Sequence, residues 1–149
     1  YLTARTAEEG REQARHFAGV IREKQYEACP VMDFESFGSL EREQINTVAL
    51  AFLRELETLT EKKVAVYSDA SNAANIFDER LAFYPLWIAE YDVERPEMNN
   101  DWREWAGWQY TDAGRVRGIE GTVDRDYFTE SILADRSAVL RPRSCEEEE

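Results

Sequence analysis

The chain has 149 residues, 43% of them hydrophobic, enough for one packed core and too few for a second full domain. Its 31 acids against 18 bases give a net charge of −13 with no visible basic patch, which argues against nucleic acid or an anionic membrane as partner. No apolar run approaches the roughly 20 residues needed to span a bilayer, no signal peptide is visible, and two cysteines do not make a disulfide framework.

Thr6 and Glu9 are spaced as a capping box. Ala14, Phe17, Ala18 and Ile21 follow at helical spacing and predict a helix from about Ala7 to Lys24. The run CPVMDFES after it reads as a short buried strand, with Cys29 as a buried thiol. Ser39 is the expected cap of a second helix. The apolar face of that helix (Ile45, Val48, Ala49, Phe52, Leu53, Leu56) is the strongest periodicity in the chain. Lys63–Ser68 is the next strand, DASNAANIFDERLAFY one or two helical turns, and Pro85–Tyr91 another strand. Trp105–Thr111 is a strand whose glycine allows a close approach. Three glycines in DAGRVRGIEG predict turns or a hairpin. TVDRDYF is then a last short strand, leading into a brief helix near Phe128–Leu133. These elements make residues 1–133 one domain. Residues 134–149, with Cys145 and the terminal glutamates, read as a weakly structured acidic tail.

Helices alternating with apolar strands predict parallel β/α units in a sheet covered on its faces. A closed (β/α) barrel needs eight strands, and about five are visible. The alternatives are an open α/β sheet or a partial barrel.

Two acids interrupt the first strand. Asp33 and Glu35 are two residues apart, so a strand points both to one face, about 6.5 Å apart along the chain, with Met32 and Phe34 opposite. Burial and like charge raise a carboxyl pKa, so one member stays protonated near neutral pH and serves as a general acid. The plainer reading is that both acids face water at a strand end. Sites of parallel β/α folds collect at the carboxyl ends of strands, where this pair stands. Asp124, in VDRD, would face the same rim in a parallel, curved sheet, and carboxylates with aromatics around a rim fit glycoside hydrolysis. A metal site is the weaker competitor. The single histidine, His16, lies on the first helix far from the acidic motifs. No metal or other cofactor is expected.

In order, PVMDFES, VAVYSD, YPLWIAEY and WAGWQYTDAGRVRGIEGTVDRDYF resemble the later part of glycoside hydrolase family 25, the Chalaropsis-type lysozymes, from about Tyr1 to Leu133. The resemblance implies a TIM-like β/α barrel and a muramidase. Its substrate would be the peptidoglycan glycan strand, cut at the β-1,4 bond between N-acetylmuramic acid and N-acetylglucosamine. It implies Glu35 as general acid, with Asp33 and Asp124 as supporting carboxylates. It places Tyr67, Trp87, Tyr91 and Gln109 near the sugar, while Trp105 and Trp108 are read as core. The family's first three β/α units, one of which carries a further site aspartate, have no counterpart in this sequence. The resemblance therefore covers about five-eighths of a barrel, whose exposed inner face calls for a second chain or self-association. The alternative function is an inactive truncated barrel that binds glycan or is completed by a partner. The implied location is secreted, wall-associated, or phage-encoded and released at lysis.

Overall fold

The computed structural model describes residues 1–134, which form a five-stranded sheet with helices packed on one face. The expected tail, with Cys145, lies outside the described residues apart from its first residue, Ala134. Helix α1 (Ala7–Ile21) starts where expected, capped by the Thr6 side chain on the Glu9 N–H, and ends three residues before Lys24. Strand β1 (Val31–Asp33) is shorter than the apolar run predicts, and Glu35 lies beyond its end. Helix α2 (Arg42–Thr60) is capped by Glu41 and not by Ser39. A reciprocal box with Gln44 satisfies two backbone N–H groups that a helix start leaves free. Strand β2 (Ala65–Asp69) runs into α3 (Ala70–Asn75), then β3 (Leu86–Ala89), β4 (Gly107–Gly114) and β5 (Val123–Phe128) follow. The brief helix near the end is a single 3-10 turn, Glu130–Ile132.

The strand order is β1-β2-β3-β4-β5. The first four strands are parallel, as the alternation predicts. The fifth is antiparallel to β4, so the glycine-rich link is a hairpin, one of the two forms expected of it, and the parallel pattern stops at β4. The reason is local: the link between them holds glycines at positive φ, Gly118 at 92° and Gly121 at 85°, and turns the chain straight back.

Period-two alternation divides the sheet into two faces. On one face Met32, Phe34, Val66, Leu86 and Ile88 are all at most 1% exposed. They meet the stripe of α2 (Ile45, Val48, Ala49, Phe52, Leu53, Leu56) and Ala14 and Ala18 of α1 in a single core. The two helices cross closely at Gly10, where a Cβ would sit 3.0 Å from the Val48 carbonyl oxygen. The other face carries the polar residues of the strands. At its base, Thr129–Ala134 crosses back towards β1: Cys29 N–H donates to Ile132 C=O at 2.7 Å, and Ala28 bridges Leu133. Ile132 packs there with Cys29, Ala65 and Ala106, and Cys29 is buried as expected. The sheet is not closed, and β1 and β5 are its two edges.

Candidate active site

Two rows of the open face build the site. Strand register aligns Asp33, Tyr67, Trp87, Gly107 and Phe128 across all five strands. One step on, towards the carboxyl ends of β1 to β3, it aligns Asp69, Ala89, Gln109 and Asp126. Because β5 runs antiparallel, its beginning lies at the end of the sheet where β1 to β3 finish. Asp124 reaches the rim that way, and not by ending a parallel strand as expected.

Gln109, only 5% exposed, ties the centre of the site together. Its Oε1 accepts from the Tyr67 hydroxyl at 2.9 Å and from the Tyr91 hydroxyl at 2.6 Å. One carboxamide on β4 thus fixes the side chains of β2 and of the residue that follows the β3 end. The Trp87 indole N–H donates to Asp126 at 2.8 Å. Its ring meets Tyr67 and Phe128 edge-on, with centroids 5.1 and 5.2 Å away. Gly107 lies beneath. A Cβ there would be 2.5 Å from the Phe128 ring and 2.9 Å from Trp87, so the approach this glycine allows is of rings and not of backbone.

The acids stand at the other end of the rows. Asp33 is half-buried and its Oδ1 has no hydrogen-bond partner among the described residues. Burial pushes its carboxyl above the usual range. Glu35, at the surface, is also pushed up, by burial first and then by the Asp33 and Asp69 carboxylates. Phe34 between them is in the core, so the strand alternation carries on past β1 and leaves both acids on the open side. The Tyr67 hydroxyl is pushed well up, by burial first and then by Tyr91 and the Glu35, Asp33 and Asp124 carboxylates.

Of the residues expected from sequence, the structure brings Asp33, Glu35, Asp124, Tyr67, Trp87, Tyr91 and Gln109 to one open face or its rim. Trp105 and Trp108 are half-buried and pack against the core, as expected. Two acids were not singled out by the sequence reading. Asp69 caps α3 through the Asn72 N–H at 2.9 Å, a role that its place before ASNAAN signals. Asp126 follows Asp124 by two residues, the same spacing as Asp33 and Glu35.

The chain was compared with known proteins. The family model described as Glycosyl hydrolases family 25 matches residues 1–119, ending before β5. The uncharacterized protein YegX of Escherichia coli O157:H7 is 36% identical over 120 residues, 78% of this chain and 42% of that protein. The autolytic lysozyme of Clostridium acetobutylicum is 37% identical over 79 residues, 53% of this chain and 24% of that protein. Among solved structures, the spore cortex lytic enzyme SleM of Clostridium perfringens superposes with a TM-score of 0.77 at 23% identity, over 88% of this chain and 48% of that one. The chain thus spans less than half the length of each of these relatives.

Proposed function

The chain belongs to glycoside hydrolase family 25, and on that premise we propose that it acts in peptidoglycan hydrolysis as a muramidase. The bond cut would be the β-1,4 link between N-acetylmuramic acid and N-acetylglucosamine. The observation that carries this reading is that strand register and alternation put Asp33, Glu35 and Asp124 on the open face that also carries Tyr67. Glu35 is the general acid. Held above its ordinary pKa by burial and by two neighbouring carboxylates, it keeps its proton at a pH where an isolated glutamate has lost it. It protonates the leaving glycosidic oxygen. Asp33 offers a carboxylate oxygen, without a hydrogen-bond partner among the described residues, to a donor on the substrate, an acetamide N–H or the attacking water. Asp124 supplies negative charge from the opposite side of the rim. Tyr67, Trp87, Tyr91 and Gln109 form the sugar-facing surface. No cofactor takes part. The autolytic lysozyme among the relatives supports a role at the cell wall, reached by secretion or by release at lysis.

The five-stranded sheet is, in this reading, part of a TIM-like barrel with β1 at the unfinished edge. Further strands, from another stretch of polypeptide, a second chain or a second copy, complete the wall that the open face lacks. That same edge, with the partial span of the relatives, favours a second reading in which the piece alone binds glycan or docks on a partner without cutting. Clearing of a bacterial wall suspension between about pH 4 and 8, a range bracketing a raised carboxyl, tests the first reading with Glu35→Gln as control. Clearing that Glu35→Gln abolishes is expected. A pure, folded chain that binds wall but clears none would leave the second reading standing.

A further inference from the structure

On the open face the Asp126 carboxylate meets an indole donor. It stands on β5, in register with Gln109 of β4, and takes the Trp87 indole N–H at 2.8 Å from two strands away. Trp87 is half-buried, and its ring is flanked by Tyr67 and Phe128. The indole has one donor and no acceptor. With that donor engaged, Trp87 has only its ring to offer a ligand.

We propose that Asp126 is a positioning residue for ligand recognition: it locks the Trp87 ring against Tyr67 and Phe128 as an aromatic floor, so that Trp87 meets a sugar by apolar contact and not through its N–H. Three features converge on this. The hydrogen bond is charge-assisted, which makes it stronger than a neutral one. Gly107 leaves room under the rings, where any Cβ would collide with both Trp87 and Phe128. Phe128 is 49% exposed, so the floor it shares with Trp87 opens to solvent. A fixed ring loses less freedom when a ligand stacks on it than a mobile one, and the gain appears as affinity. The Asp126 carboxyl stands above its usual range, pushed up by burial, pulled back in part by the Trp87 bond and pushed up again by the Asp124 carboxylate.

The recognition part rests on the glycan reading above, so the test has two arms. In the first, the full chain is labelled with 15N and the Trp87 indole N–H resonance is assigned by its loss in Trp87→Phe. Asp126→Ala is expected to move that resonance in the absence of any ligand, and Asp126→Asn, which keeps an acceptor oxygen, to restore most of the wild-type position. In the second arm, a soluble β-1,4-linked N-acetylglucosamine oligomer is titrated by calorimetry. Binding about tenfold or more weaker in Asp126→Ala, and within about threefold of wild type in Asp126→Asn, is expected from loss of the bond in the first and its retention as a neutral hydrogen bond in the second. An unmoved resonance in Asp126→Ala overturns the clamp. A moved resonance with unchanged oligomer affinity overturns the recognition role. A wild-type chain that binds no oligomer overturns the recognition role together with the glycan reading, and the first arm still decides the clamp.

Discussion

The two ends of the acidic rim solve the same problem in opposite ways. On the hairpin side, Asp126 is partly buried and its charge is met by an indole N–H. On the β1 side, Asp33 is partly buried and its Oδ1 has no hydrogen-bond partner among the described residues. Buried polar atoms are nearly always paired, because an unpaired one costs about 1–3 kcal/mol. The same open face thus holds one carboxylate met by a donor and one with an oxygen that no described residue meets. The hairpin side holds an aromatic floor in place. Burial lifts the carboxyl groups of both sides above their usual pKa, so it is pairing and not titration that separates the two ends.

The sharpest way to break this contrast is to neutralise one acid on each side. Glu35→Gln is expected to lower wall clearing by about 10²–10⁴-fold, the usual worth of a general acid, with unchanged circular dichroism. Asp126→Asn, which keeps its acceptor, is expected to lose less than about tenfold. Equal losses in parallel clearing assays would show that the two ends do not differ in kind.

Packing on the hairpin side gives the next effects. Gly107→Val places side-chain atoms where Trp87 and Phe128 already are, and is expected to destabilise the fold by about 1–3 kcal/mol in urea denaturation. Gln109→Leu removes the acceptor shared by two tyrosine hydroxyls and is expected to cost about 1–2 kcal/mol by the same measurement. If either variant matched wild type, the hairpin side would be no more tightly built than the β1 side.

How far these two ends could be read from the sequence differs as well. The α2 stripe, the buried Met32 and Phe34, and the five strands follow from periodicity, because burial on one face imposes the pattern directly. The Asp33–Glu35 pair was visible for the same reason: period two puts neighbouring acids on the face that the apolar residues leave. The antiparallel turn of β5 was less visible. Glycines announce a turn, but the direction of the returning strand depends on which neighbour it pairs with. Asp126 and Gly107 were least visible as a unit. Their link through Trp87 spans 39 residues and exists only once β3, β4 and β5 are in register. Ser39 lost the helix cap to Glu41 because Gln44 stood in place to complete a reciprocal box.

The smallest effect tests the β1 side alone, through stability. The folded pKa of Asp33 is raised above its ordinary value of 3.8, mainly by burial. The native state therefore holds that proton more tightly than the unfolded chain does. Its stabilising contribution is complete below about pH 4 and is lost as pH rises through the raised folded pKa. At pH 7 the ionised Asp33 is a cost to the fold. Asp33→Asn removes that charge and is expected to raise Tm at pH 7. Below about pH 4, where the wild-type carboxyl is already protonated, the gain should shrink towards zero. Thermal melts of both proteins at the two pH values decide it. A gain of the same size at both would trace the effect to shape and not charge. A loss at pH 7 would mean that the Asp33 charge has a partner in solution, and the contrast between the two ends of the rim would fall. A gain in stability alongside reduced clearing is the signature of a residue kept for chemistry at the expense of the fold.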